Sequence, residues 1–166
     1  MILRIVLLIS LLTGLNISVE ASDVKLDESR LAGPLTLLSA DDQKIVDGAI
    51  RLIRSGDHVL ALVRLAELNR KTPDNSSLRI LTAYTQLQLA NLMGAFEEAT
   101  KAEAAPNGDS YKCVFLARIA LLRGRLPICR RELGHARQAR EVADDELKRL
   151  ENDLRKAEAT SRNRDS

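Results

Sequence analysis

Small residues return every 34 positions through the middle of this chain, and that period limits what it can fold into more than any other feature. Gly56, Ala90 and Gly124 are 34 apart, and Ala61, Ala95 and Cys129 follow each of them by five. Upstream, Ala49, Ala83 and Ala117 keep the interval. Downstream, Leu65, Ala99 and Leu133, then Leu68, Ala102 and Ala136, hold the same register, with His58, Leu92 and Leu126 as a further column. Self-similarity at a period of this length marks a repeat architecture. Small residues on both sides of a tight connection let two helix backbones approach closely, so each unit reads as an antiparallel helical hairpin. Composition agrees: with 2% aromatic residues and no Trp, the core must be Leu, Ala, Ile and Val, which favours helices. A chain of 166 residues is one domain's worth.

The first unit carries the clearest motif. Its stretch from Ser55 through Gly56, Asp57 and His58 to Pro73 and Asn75 has a Gly turn, an Ala early in the second helix and a closing Pro. On these residues the chain resembles the tetratricopeptide repeat family over about residues 42–140, in three copies. The second copy departs from the pattern, because Pro106 comes one residue early and Arg79 and Gln86 fall where the family places large apolar residues. A one-residue shift would turn Ile80, Ala83 or Tyr84, and Leu87 inward instead. The third copy has no closing Pro, so its second helix is expected to run on. The resemblance implies an all-α, right-handed α-solenoid of helix-turn-helix repeats with a long C-terminal capping helix.

Helices are expected at about 42–54, 58–71, 77–90, 93–104, 110–123 and 127–140, with Ser39 to Asp42 supplying N-cap chemistry for the first. From Pro127 to Ala159 only Gly134 argues against one continuous helix of roughly 50 Å. Its stripe of Ala136, Ala139 or Arg140, Ala143, Leu147, Leu150, Leu154 and Ala157 reads either as the inner face of a polar cap on the repeat stack or as the seam of a two-stranded coiled coil. The flanks complete the division: a signal peptide at 1–21, a leader or linker at 22–41, repeats at 42–140, a charged helix at 141–160 and a disordered tail at 161–166. Arg4 followed by the apolar run Ile5 to Leu15, with Val19 and Ala21 as the small-residue pattern, predicts cleavage after Ala21 and export to the periplasm or beyond. The alternative is an uncleaved N-terminal membrane anchor.

No catalytic motif is legible. The two histidines, His58 and His135, form no His-Glu-x-x-His pattern, and Gly124-Arg125 lacks the later glycines and lysine of a phosphate loop. No enzyme activity, cofactor or metal is therefore expected. Cys113 and Cys129 are offset by about 10 Å along a hairpin turning at Gly124, which argues against a disulfide and for two buried thiols. Asn75-Ser76-Ser77 matches a glycosylation acceptor. A net charge of +2 excludes a strongly basic nucleic-acid binder, and nucleic acid is not an expected partner.

Charge is nonetheless segregated: residues 111–140 hold Lys112, Arg118, Arg123, Arg125, Arg130, Arg131, Arg137 and Arg140 against Glu132 alone. This basic patch either faces an anionic surface or is neutralised by the acidic segment from Glu141 or the leader. The family resemblance implies that first helices line a groove for a peptide, here Val46, Ile50 and Ile53, then Ile80 and Tyr84, then Tyr111, Val114, Arg118 and Leu121. Val46 and Ile50 stand where some members hold a terminal carboxylate with Lys and Asn, so an apolar segment is the expected ligand, with Arg118 as the groove's cation. Alternatively Leu31, Leu35, Leu37 and Leu38 fold back and fill that groove. The reading is a non-catalytic adaptor for a protein or peptide partner, with a homodimeric spacer joined through the C-terminal helix as the alternative.

Overall fold

A computed structural model describes residues 26, 31, 35–102, 110–138 and 144–163. Among them the protein is all-helical, with seven helices and no strand: α1 (Ala40–Arg54), α2 (His58–Lys71), α3 (Ser76–Gln88), α4 (Leu92–Lys101), α5 (Ser110–Leu122), α6 (Leu126–Gln138) and α7 (Asp144–Arg162). The expected signal segment lies outside the described residues. Each helix packs against the next in the chain, and α5 also meets α7. That near-neighbour order is the quasi-one-dimensional organisation of stacked hairpins.

One backbone motif closes α1, α3 and α5. The N–H groups of Asp57, Asn91 and Arg125 donate to the carbonyls of Leu52, Gln86 and Ala120 at 2.9, 2.9 and 2.8 Å. One residue earlier, Gly56, Ala90 and Gly124 donate to Ile53, Leu87 and Leu121 at 3.1, 2.9 and 2.9 Å. This pair of bonds is the Schellman termination, which needs a left-handed residue at its centre. Accordingly Gly56, Ala90 and Gly124 have φ of +83°, +58° and +66°. Glycine takes that conformation without strain and alanine does not, so the second hairpin turns on a residue that opposes its own backbone. In the first two turns the residue after the left-handed one also caps the next helix, with Asp57 accepting from Leu60 N–H and Asn91 from Gly94 N–H. Ser39 caps α1 by accepting from Asp42 N–H, and starts that helix at Ala40, two residues before the sequence expectation.

The small-residue columns are the packing surfaces between helices. Ala49, Ala83 and Ala117 are fully buried, as are Ala61, Ala95 and Cys129. Ile80, Ala83 and Leu87 face inward on α3 at the repeat equivalents of Val46, Ala49 and Ile53, so the second copy keeps its register. Arg79 sits beside that core and binds Glu98 on α4 at 2.7 Å. Helix α5 carries apolar residues on two faces because it serves two cores. Phe115, Leu116 and Ile119 join the cluster built by α1 to α4, while Val114, Ala117, Ala120 and Leu121 join a second cluster with α6 and α7.

The continuous helix expected from Pro127 to Ala159 is not formed. Helix α6 ends at Gln138 and α7 begins at Asp144, with residues 139–143 outside the described set. Arg130 pairs with Glu158 and Arg137 with Glu151, so numbers rise along one helix as they fall along the other, and the two are antiparallel. Doubling back buries Leu147, Leu150, Leu154 and Ala157. A straight helix would leave those leucines in water, at about 1.5–3 kcal/mol for each side chain. The helix also continues to Arg162, two residues into the stretch expected to be disordered.

Candidate protein-interaction surface

The residues expected to line a peptide groove divide by burial. Val46, Ile53, Ile80, Val114 and Leu121 are all under a tenth exposed and belong to the two cores, so they present no side chain to a ligand. The Tyr111 side chain lies outside the described residues. Ile50, Tyr84 and Arg118 remain half-buried, and they are a single column at the 34-residue interval. Leu31 and Leu38 are buried in the same cluster as Val46, Ile53 and Ile80, with Leu35, Ile50 and Tyr84 packed against it. Gln43 holds this leader by donating its amide to the carbonyls of Thr36 and Leu38 at 3.3 and 3.1 Å. The open apolar groove is thus corrected to a core partly sealed by the protein's own leader. Leu37 is the exception, pointing to solvent at 85% exposed.

Three cations of the basic patch, Arg130, Arg131 and Arg137, are paired with glutamates within the chain. Glu158 and Glu151 on α7 take Arg130 and Arg137, flanking an open cleft of about 620 Å³ between α6 and α7. Arg131 closes on its neighbour Glu132 through Nε and Nη2, at 2.9 and 2.7 Å. Arg123 lies 4.8 Å from the centre of the Phe96 ring, within cation–π range, and its guanidinium also reaches Met93 Sδ at 3.3 Å. Of the remainder, Arg125 is exposed, Lys112 is half-buried and Arg140 lies outside the described residues. Of the stripe offered as a dimer seam, Ala136, Leu147, Leu150, Leu154 and Ala157 are buried in the core that α5, α6 and α7 share, and Ala143 lies outside the described residues.

Apolar surface persists elsewhere, at a place the 34-residue columns did not indicate. Val59 and Val63 on α2 are 64% and 62% exposed, Met93 at the start of α4 is 56% exposed, and Leu60 and Leu89 are exposed beside them in the sequence. Val59 and Met93 are repeat equivalents. A signal was present: α2 carries Val59, Leu60, Leu62 and Val63 in addition to the inward Ala61, Leu65 and Leu68, more apolar residues than one buried face can use. Arg123 places positive charge at Met93, its guanidinium reaching Sδ.

Asn75 caps α3 by accepting from Leu78 N–H at 3.0 Å, which ties the glycosylation-like asparagine to helix termination. Neither cysteine is in a disulfide. Burial pushes the Cys129 thiol up to about 12, with the Glu158 carboxylate adding to the shift and Arg130 opposing it. Among the described residues no helix is long and apolar enough to cross a membrane. No known protein family matches this chain, and neither curated proteins nor solved structures give a significant match.

Proposed function

We propose that this protein is a non-catalytic scaffold of tetratricopeptide-like repeats, exported from the cytoplasm, that binds a partner protein through an apolar, partly acidic segment. The observation that carries this reading is the exposure of large apolar side chains on the second helices of two successive hairpins, Val59, Leu60 and Val63 on α2 and Met93 on α4. Val59 and Val63 stand one turn apart on α2; large apolar side chains left exposed together mark interaction sites, and Arg123 at Met93 suits a segment with some negative charge. The half-buried column of Ile50, Tyr84 and Arg118 supports a second reading, in which a peptide lies along the first helices.

Site-specific photo-crosslinking in the native host separates these readings. A crosslinker replacing Val63 is expected to give a specific foreign adduct, and one replacing exposed Arg149 on α7 is not. An adduct from Tyr84 alone would transfer the site to the first helices. Absence of specific adducts from both 63 and 84 would overturn the scaffold proposal.

A further inference from the structure

The second and third hairpins place different chemistry on one geometric frame. In the second, Glu98 on α4 is gripped by two cations, Arg79 on α3 at 2.7 Å and Lys101 one turn along at 3.3 Å. Adding 34 to each number gives Cys113, Glu132 and His135 in the third hairpin. Glu132 is again buried, its side chain 8% exposed, and His135 Nδ1 lies 3.5 Å from its Oε2. One ligand atom from each of Cys113, Glu132 and His135 lies within 4.8 Å of the other two. Where the second hairpin sets two fixed positive charges around a carboxylate, the third sets one, Arg131, together with a thiol and an imidazole.

We propose that Cys113, Glu132 and His135 bind a transition-metal ion of the zinc class between α5 and α6, at the positions where the second hairpin places Arg79, Glu98 and Lys101. The donor set is one sulfur, one nitrogen and one oxygen, which suits zinc and its neighbours and disfavours magnesium and calcium, whose sites are built from oxygen. Metal–ligand lengths of about 2.0–2.3 Å place tetrahedral ligands roughly 3.3–3.8 Å apart, so the site closes by side-chain rotation of about an ångström. Glu132 and His135 share one helix face through their i, i+3 spacing, and α5 brings Cys113 across. Arg131 holds Oε1 of Glu132, leaving Oε2 as the atom turned to His135. An outer hydrogen bond of this kind orients a ligating carboxylate. His135 is half-exposed, which gives an ion access from solvent, and three protein ligands leave a fourth position for water or a further ligand.

Cobalt(II) titrated into the full, reduced chain tests this directly, because thiolate ligation adds a near-ultraviolet charge-transfer band to the visible bands of a tetrahedral ion. The expected result is one equivalent bound with that band, displaced by zinc. His135→Ala, at an exposed position that folding does not depend on, and Cys113→Ser should each weaken binding by at least about tenfold. Cys129→Ala should leave it unchanged, since alanine already fills that column at 61 and 95. Circular dichroism of each variant verifies that it remains folded. The proposal is overturned if wild-type protein gives no thiolate band, or if the band survives Cys113→Ser.

Discussion

The second and third hairpins share a backbone turn and differ in almost everything polar attached to it. The same two carbonyl-capping bonds close α3 and α5, yet the left-handed position is Ala90 in one and Gly124 in the other. The second hairpin is covered by hairpins on both sides, whereas the third is covered on its outer side by α7, whose Glu158 and Glu151 pair with Arg130 and Arg137. The unit is therefore defined by where small residues and helix ends fall, and the polar positions are free to change role. Arg79, Glu98 and Lys101 form an ion cluster; Cys113, Glu132 and His135 occupy the same frame with ligand chemistry.

The largest expected effect lies at the junction of the third hairpin with its cover. Leu150 is fully buried on α7, and Leu150→Ala should destabilise the protein by about 3 kcal/mol, measured by urea unfolding. Leu81→Ala in the second hairpin should cost a similar amount; a much smaller loss at 150 would mean that α7 is only loosely attached. The turns give effects of opposite sign. Gly124→Ala should destabilise by about 1–2 kcal/mol, and Ala90→Gly should stabilise by about 0.5–1 kcal/mol through relief of the left-handed alanine. Gly134 on α6 has open space for 4 Å around the point where a β-carbon would stand. Gly134→Ala should therefore stabilise by about 0.5–1 kcal/mol through helix propensity alone, read as a rise in Tm. Smaller still, Arg137→Gln should cost about 0.5 kcal/mol and lose its effect at high salt, because the pair it makes with Glu151 is partly exposed.

The last effect is absent at neutral pH. Cys129 titrates at about 12 in the folded protein against an ordinary 9.0, so the protonated thiol's contribution is complete below pH 9 and declines as pH rises toward 12. Wild type should lose stability relative to Cys129→Ala across that alkaline window, in paired denaturation curves.

The helical hairpins and their turns were legible in the sequence because the period of 34 is carried by residues whose size alone matters. The columns at Ala49, Ala61 and Leu65 are buried in all three copies. Three features were not legible. The antiparallel arrangement of α6 and α7 is not announced by any Gly or Pro in the sequence between them, Ala-Arg-Glu-Val-Ala; it follows from the need to cover Leu147, Leu150 and Leu154. The groove set merged inward and outward positions, because periodicity places residues on a face without saying whether the leader lies over it. The Cys113, Glu132 and His135 cluster spans a hairpin, so no local spacing reveals it, although its repeat equivalence to Arg79, Glu98 and Lys101 could have been read by comparing the polar columns.

The fold-back of α7 onto its own third hairpin is the claim on which the sealed stack depends, and proximity of residues 137 and 151 tests it most directly. Arg137→Cys and Glu151→Cys, placed together in a chain with Cys113→Ser and Cys129→Ala, would be treated with a short bifunctional thiol reagent and resolved by mass. A crosslinked monomer is expected, since these side chains pair across α6 and α7. In one continuous helix the two positions would stand about 21 Å apart. Crosslinked dimers with no intrachain product would contradict the fold-back and restore the coiled-coil seam.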